Sequence, residues 1–421
     1  MKTLICIPCF LTGGTEIQTL NTVHALVQGG HEVTVACYFE HTPDMVDRYR
    51  KAGAEVILFS PEGIRVGGYK SILFLYRHLR RAVRTVRPDV VHVQYMAPGA
   101  TVILLLWLMG VKNIIATAHT AADIYRDLRL IHFLQRHCLR AFTCITERAE
   151  RSFFGTSQLY TPDTVLGRRN HFTIYNSLPL RYSERLKAAE QRLIATASQV
   201  NVAEQRLNAA EQQVNCDDSQ VKSCVAAVKG QQLTANSQEP NTKLTLGVVS
   251  RLEPIKGMDL VVPALAEVLK VHPDTQLLVV GDGSLRASME EQAAQLACAD
   301  HIRFVGRQPQ EELPQWYGQM DIVLMPSRSE GFGLTAIEAM ACGCVMVASD
   351  TGGLPEVVRD GVCGLLHRTD DVTDMAAKIS TLIGDQELYT TLRTQSLKEV
   401  EKYSFERYAA LMNDLYNKLG K

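Results

Sequence analysis

The stretch Ser327–Gly343, SRSEGFGLTAIEAMACG, decides how the rest of the chain is read. It follows the short apolar run Ile322–Met325, which suits a buried strand. Gly331 and Gly333 then open onto a helical pattern that carries Glu338. A glycine loop that turns a strand into a helix is an anion site, because the first amides of a helix lack partners and the helix dipole adds positive potential there. Gly331, Phe332, Gly333, Leu334 and Thr335 supply those amides, and the glycines let a ligand approach the backbone closely. Glu330 stands at the mouth of the loop, and Glu338 lies one to two turns into the helix. A carboxylate at 338 cannot hold phosphate, but it accepts hydrogen bonds from vicinal hydroxyls such as those of a ribose. Either glutamate alone reads as ordinary surface; together with the loop they point to a phosphorylated, polyhydroxylated ligand at the C-terminal ends of parallel strands.

Outward from this loop the chain alternates apolar runs with helical spacing, the βα pattern of a parallel sheet covered on both faces. Strands are expected at Leu4–Pro8, Glu32–Ala36, Glu55–Leu58, Val90–Val93, Asn113–Thr117, Ala141–Ile145 and Phe172–Ile174. A second series follows at Thr245–Val249, Gln276–Val280, Ile302–Val305, Ile322–Met325 and Val345–Ala348. Helical spacing covers Glu16–Gln28 and Tyr69–Thr85, and further helices start near Gly257, Ser284, Pro309, Phe332, Leu354 and Val372. The fold class is α/β, with two Rossmann-like domains at 1–178 and 244–395, a segment 179–243 between them, and a C-terminal helix within 396–421. Periodicity leaves open which domain that last helix, Tyr403–Leu419, covers.

A chain of 421 residues is long enough for two such cores. Its 44 Lys and Arg against 45 Asp and Glu exert no global pull on nucleic acid. With 46% hydrophobic and 21% charged residues it is neither disordered nor membrane-embedded in composition. The eleven cysteines are odd in number and scattered, which argues against a disulfide framework and for a reducing cytoplasm. Cys6 and Cys9 have no second pair nearby, so zinc is set aside. The opening MKTLICIPCFLTGG reads as a strand entering a glycine loop rather than an export signal. Thr101–Gly110 is too short for a bilayer, which needs about 20 residues, and reads as a buried helix.

The intervening segment has its own period. Leu186, Leu193, Val200, Leu207, Val214, Val221 and Val228 recur every seven residues, and Ala189, Thr196, Ala203, Ala210, Asp217 and Cys224 lie three places after the first six. This is a coiled-coil-like heptad with a large residue at one core position and mostly small ones at the other. The seam is weak, which leaves two outcomes: a homodimer through 183–229, or a hairpin that turns near Asn215–Asp218. Gly230–Thr242 reads as a polar linker.

Glu330 and Glu338, with GFGLTAI between them, resemble the paired-glutamate motif of retaining GT-B glycosyltransferases. More narrowly they resemble the large family 4 type, which includes sucrose synthase and many bacterial lipopolysaccharide and capsule transferases. The resemblance covers nearly all of the chain outside roughly 180–242. It implies that Arg251 and Lys256, in VVSRLEPIKGMDLVVPAL, clamp the donor's diphosphate, a role that two cations beside a helix start suit. By the same resemblance Gly281 shapes the backbone near the nucleotide, and Val305 and Arg307 lie near the base. Gly13 and Gly14 face the diphosphate or sugar from the first domain, and His119, in TAHT, stands beside the transferred sugar. Glu16 and Glu356 read as architectural, and His92 as a packed, hydrogen-bonded histidine. Asn176 sits where the family usually has an asparagine–glycine pair, but Ser177 replaces the glycine here.

The resemblance therefore implies retaining glycosyl transfer from a UDP- or GDP-linked sugar to a hydroxyl of a saccharide or lipid-linked acceptor, without a metal or other cofactor. His119, Glu330, Arg251 and Lys256 would carry the chemistry, with charge developing on the leaving diphosphate stabilised by the two cations and the helix amides. Two basic amphipathic stretches, from Tyr69 and from Ile124 to Arg140, suit an anionic membrane surface and equally suit solvated helices. The competing readings are an epimerase of the same fold and a non-enzymatic nucleotide-sugar scaffold. The first lacks an argument from Arg251, Lys256 and the glutamate pair, and the second leaves Glu330, Lys256 and His119 unexplained.

Overall fold

The structure is a computed structural model that describes residues 1–94, 96–125, 127–167, 169–187 and 244–420. It contains two parallel sheets. The first has seven strands in the order β3-β2-β1-β4-β5-β6-β7: β1 Lys2–Ile7, β2 Glu32–Cys37, β3 Glu55–Leu58, β4 Val90–Gln94, β5 Ile114–Ala118, β6 Ala141–Cys144 and β7 His171–Thr173. The second has six in the order β10-β9-β8-β11-β12-β13: β8 Thr245–Val249, β9 Gln276–Val280, β10 Ile302–Gly306, β11 Ile322–Met325, β12 Val345–Ser349 and β13 Gly364–His367. Central strands such as β4, β5, β11 and β12 are buried along their whole length. Their continuous apolar character, rather than an in–out alternation, follows from helices on both faces.

In both sheets the strand order reverses beside the first strand, at β1/β4 and at β8/β11. Successive helices then leave for opposite faces and a crevice opens at the C-terminal edge. One face of the first sheet packs against the helices Tyr69–Val86, Met96–Leu108 and Arg129–His137, and the other against Gly14–Gln28 and Pro43–Lys51. The second sheet is covered on one side by Val261–Leu269, Arg286–Gln295 and Val372–Gly384, and on the other by Leu334–Ala341 and Leu354–Val357.

The expected strands form within a residue or two of the sequence reading. β13 was not foreseen, because the four residues GLLH are too short to give a period of their own. The helix Gln386–Val400 was not foreseen either; only a narrow stripe of it is buried (Tyr389, Leu392, Ser396 and Val400), and it runs through position 395, where the sequence reading placed a boundary. The apolar run from Thr101 lies in the helix Met96–Leu108, with Val102, Ile103 and Leu106 buried and Trp107 and Leu108 exposed at its end. Among the described residues no helix is long and apolar enough to cross a membrane. The cysteines among the described residues are free thiols. The heptad segment and the polar linker lie, from 188 to 243, outside the described residues. Leu186, the first heptad position, packs with Leu178 and Tyr182 against the second sheet.

The question left open by periodicity has an answer. The C-terminal helix, Phe405–Leu419, returns to the first sheet and buries Phe405, Tyr408, Met412, Leu415, Tyr416 and Leu419 there. Ser404 caps it, its side chain accepting from the Arg407 amide. Polar contacts fix its register: Tyr408 Oη lies 2.7 Å from Thr22 Oγ1, Asn413 Nδ2 donates to the Ala25 carbonyl at 2.9 Å, and Tyr160 donates to Asp414 at 2.7 Å.

Two buried polar groups matter for stability. The Glu150 carboxylate, fully enclosed, faces Arg169 (2.8 Å), His171 Nδ1 (2.7 Å) and Thr173 Oγ1 (2.7 Å), and accepts from the Gln158 amide (3.0 Å). Burial opposes its charge, but the hydrogen bonds from His171, Thr173, Gln158 and Arg169 outweigh burial and hold the carboxyl below its usual range. Burial, with a smaller contribution from His119, pushes His92 down to about 3. Both shifts have the same sign in linkage: each favours the deprotonated form in the folded chain, so each contributes stability at neutral pH that is lost on acidification. For His92 the loss begins as pH falls below about 6.5 and continues to its folded value; for Glu150 it begins near the ordinary carboxylate range. We therefore expect the urea midpoint to fall steadily from pH 7 to pH 4. Glu150→Ala, which strands Arg169 and three further donors, should lower unfolding stability by about 3 kcal/mol at pH 7 and flatten the lowest part of that profile. A midpoint independent of pH over this range would contradict the assignment.

Candidate functional site

A cavity of about 300 Å³ lies between the C-terminal edges of the two sheets. From the first sheet come Gly13, Gly14 and Thr15 after β1, His119 after β5, Ile145 after β6 and Asn176 after β7. From the second come Ser250, Arg251 and Lys256 after β8, and Ser327 and Glu330 to Thr335 after β11. Of the residues singled out in the sequence, His119, Glu330, Arg251, Lys256, Gly13, Gly14, Gly331, Phe332, Gly333, Leu334 and Thr335 meet at this one cavity. Thr15, Ser250, Ser327 and Ile145 also line it; each adjoins a motif but has no pattern of its own.

Four residues expected near the ligand are not among its lining. Gly281, at the end of β9, lies so close to the Ser250 carbonyl that a Cβ would come within 1.8 Å of the oxygen, so it shapes the loop that carries Arg251 from behind. Val305 packs against the apolar cluster on the inner face of the second sheet. Glu338 is buried, and its carboxylate accepts from Arg181 Nη2 at 3.1 Å and from the Tyr317 hydroxyl at 3.3 Å. Burial raises its pKa, and the Arg181 charge opposes that rise. Arg181 and Tyr317 thus fix the Glu338 carboxylate from within the protein. Arg307, at the exit of β10, reaches across to Thr12 Oγ1 at 3.4 Å.

The cationic side of the cavity is braced. Lys256 ends the short 3-10 turn Pro254–Lys256, and Gly257 after it has φ +66°. That position needs glycine twice over, since a Cβ would also fall 1.9 Å from the Pro326 carbonyl oxygen. Arg328 grips the next turn with two 2.7 Å bonds to Asp259 and one of 2.6 Å to Asp370, and also donates to the Pro254 carbonyl. Lys256 Nζ itself meets Glu330 Oε2 at 2.7 Å, both side chains being largely buried. The Glu330 backbone is pinned in turn, its carbonyl accepting from the Gly353 amide at 3.0 Å. Arg251 is exposed at the rim.

Opposite stands His119, buried, with Nε2 2.8 Å from Gln94 Oε1. Burial lowers it to about 3, so the ring is neutral at physiological pH. Glu16, in the first turn after Gly14, accepts from Cys9 Sγ at 3.3 Å; burial raises its carboxyl, while Arg251 from the other side of the cleft pulls it down. Among the described residues no group of three or more His, Cys, Asp and Glu could hold a metal ion.

The halves also touch outside the cavity. Glu356 of the second half accepts from the amides of Glu147 (2.9 Å) and Arg148 (2.5 Å), the first turn of the helix Glu147–Phe154 in the first half. Arg48 donates to Gln310 (3.1 Å) and pairs with Glu311 (3.0 Å). Tyr403 stacks edge-on against both Tyr175 and Phe332, with centroids 5.5 and 5.4 Å away.

Comparison with known proteins gives two separate matches along the chain. Residues 12–154 match the family described as Glycosyltransferase Family 4, and residues 231–399 match Glycosyl transferases group 1. D-inositol 3-phosphate glycosyltransferase of Corynebacterium jeikeium is 36% identical over 181 residues, which are 41% of this chain and 43% of the relative. A GDP-mannose-dependent alpha-(1-6)-phosphatidylinositol monomannoside mannosyltransferase of Mycolicibacterium smegmatis is 37% identical over 144 residues, 32% of this chain and 38% of the relative. The chain thus spans about two fifths of the length of these curated relatives. Over the whole length, the crystal structure of Anabaena Alr3699/HepE in complex with UDP superposes with a TM-score of 0.70 at 17% identity, covering 99% of this chain and 100% of that one. The fold and the two matches agree: the chain has the GT-B fold, with a first half similar to Glycosyltransferase Family 4 and a second half similar to Glycosyl transferases group 1.

Proposed function

We propose that this chain transfers a sugar from a UDP- or GDP-linked donor to a hydroxyl of a saccharide or lipid-linked acceptor, with retention of anomeric configuration, in envelope polysaccharide or glycolipid synthesis. The observation that carries the reading is the convergence on one cavity of Arg251, Lys256 and the first amides of the helix Leu334–Ala341, with neutral His119 opposite. Such a cluster stabilises negative charge where it develops, on the leaving diphosphate. In this reading 244–395 binds the donor, and 1–178 offers the acceptor, completed by the last helix within 396–421.

Lys256 and Glu330 neutralise one another across 2.7 Å. A donor diphosphate gives the ammonium a second anion and frees Glu330 to hold sugar hydroxyls. His119 supplies a neutral, hydrogen-bonding ring beside the sugar. Transfer proceeds on the face from which the diphosphate leaves, whose oxygen aids removal of the acceptor proton. The two named relatives act on inositol-containing acceptors by their names, and Alr3699/HepE is solved with UDP; these support the class without choosing base, sugar or linkage for this chain.

The helix Tyr69–Val86 leaves Ile72, Leu73 and Tyr76 exposed, and Tyr69 is 81% exposed, beside exposed Arg77, Arg80, Arg81 and Arg84. We assign this face to peripheral contact with an anionic membrane on its cytoplasmic side. The heptad segment 183–229 is assigned to homodimer assembly, on its sequence period alone.

Three tests follow from this reading. Lys256→Ala should lower kcat for nucleotide diphosphate release about 10²–10³-fold, in buffer with or without EDTA; an unchanged rate removes the clamp, and release that needs no acceptor favours the epimerase reading. Vesicles with phosphatidylglycerol should co-sediment the protein and neutral vesicles should not, and Ile72→Asp with Leu73→Asp should abolish the difference; equal binding to both vesicle types counts against the membrane face. Replacing residues 188–243 with a short Gly/Ser linker should convert a sedimenting dimer into an active monomer, whereas a monomer before and after rejects the assembly role.

A further inference from the structure

Strand register assembles an unusual polar row behind the cavity. Gln94 is the last residue of β4 and pairs with Thr117 on β5, which pairs with Thr143 on β6. Paired residues of a parallel sheet share a face, and so do residues two apart on one strand, so His92 joins the same row. That face is the one covered by the C-terminal helix, and Tyr416 of that helix reaches into it. All of these side chains are buried.

With the Gln94 amide oriented as it stands, oxygen towards His119 and nitrogen towards His92, their hydrogen bonds are met by one order of protons. The Gln94 amide nitrogen can only donate, and it lies 3.3 Å from His92 Nε2, so that ring nitrogen accepts. Thr117 Oγ1, 2.7 Å from the same nitrogen, donates to it and lies 2.6 Å from Thr143 Oγ1, whose hydroxyl also faces the Ala116 carbonyl at 3.4 Å. His92 then carries its proton on Nδ1 and donates it to the Tyr416 hydroxyl, 2.8 Å away. At the other end, Gln94 Oε1 can only accept, so the 2.8 Å contact with His119 Nε2 places a proton on that nitrogen.

We infer that Gln94, His92 and Tyr416 are positioning residues that hold His119 as its Nε2–H tautomer, with its ring fixed against the cavity wall, so that the last helix of the chain sets the state of a residue at the donor site. The low pKa of both histidines agrees, since a charged ring would break the donor–acceptor order. The Nε2 proton is engaged by Gln94, so His119 meets its ligand in a fixed orientation rather than as a freely rotating donor. The inference rests on the proposed function for the place of His119 beside a donor sugar, but its physical readout does not.

The test is long-range proton–nitrogen NMR of the full chain labelled with ¹⁵N-histidine, with His119 assigned by loss of its signals in His119→Gln. The wild type should show His119 as the Nε2–H tautomer. Gln94→Leu should disperse that signal into a tautomer mixture and lower kcat about tenfold, with donor KM moving less than twofold. Tyr416→Phe should act in the same direction, at least threefold on kcat. Gln94→Glu, which keeps an acceptor oxygen against His119, should hold the tautomer and recover kcat to within threefold of wild type. Should Gln94→Leu fail to fold by circular dichroism, Tyr416→Phe and Gln94→Glu decide the matter. An Nδ1–H tautomer in the wild type, a Gln94→Leu tautomer unchanged from it, or losses confined to donor KM would overturn the inference. Absence of turnover with every nucleotide sugar tried would overturn the proposed function instead, leaving the tautomer spectrum to judge the relay.

Discussion

The backbone of Gly331 lies against the backbone of His119, across the cleft, so closely that a Cβ on Gly331 would sit 2.5 Å from the His119 carbonyl oxygen. No other residue type fits there without moving one half of the molecule. The rest of the site inherits its spacing from this approach. It brings the helix start after Gly331 opposite the histidine, puts Leu334 within 3.5 Å of a Cβ on Gly14, and sets Phe332 among Tyr175 and Tyr403. The cleft is therefore narrow because main chain, not side chain, forms its tightest wall.

Within that wall the charges are arranged in braced pairs rather than as a free cationic patch. Lys256 is held by Glu330, the turn that carries it is held by Arg328 through the Pro254 carbonyl, Arg328 is itself paired with Asp259 and Asp370, and Glu338 is held by Arg181 and Tyr317. Buried or half-buried charges are costly unless matched, and these groups are matched within the protein. The geometry thereby separates two glutamates that look equivalent in sequence. Glu330 faces the cavity, while Glu338, one to two turns further on, anchors the segment that leads out of the first domain.

The strands, the two-domain division and the glycine loop were legible in the sequence because each is written in neighbouring residues: apolar runs, helical spacing, a strand followed by glycines. β13 and the helix Gln386–Val400 were less legible because four residues carry no period and a narrow stripe carries little. The partners of Glu338 and Glu356 were not legible at all. Arg181 lies 157 residues from Glu338, and the amides capped by Glu356 lie more than 200 residues away, so nothing local signals either contact. The resemblance put Gly281 and Val305 near the nucleotide; neither lines the cavity, because Gly281 packs behind the Arg251 loop and Val305 packs on an apolar cluster. The row Gln94, Thr117 and Thr143 is hidden for the same reason: three unremarkable residues become one feature only through sheet register.

The helix Phe405–Leu419 closes the core of the half that is made first. On the ribosome, β7 is finished long before that helix exists, and at about 5–20 residues per second the interval is on the order of ten to fifty seconds. Throughout it, the face of the first sheet that later receives Tyr408, Met412 and Tyr416 stays open to water and to any other apolar surface. The nascent first half therefore presents an uncovered apolar face until that helix has been made.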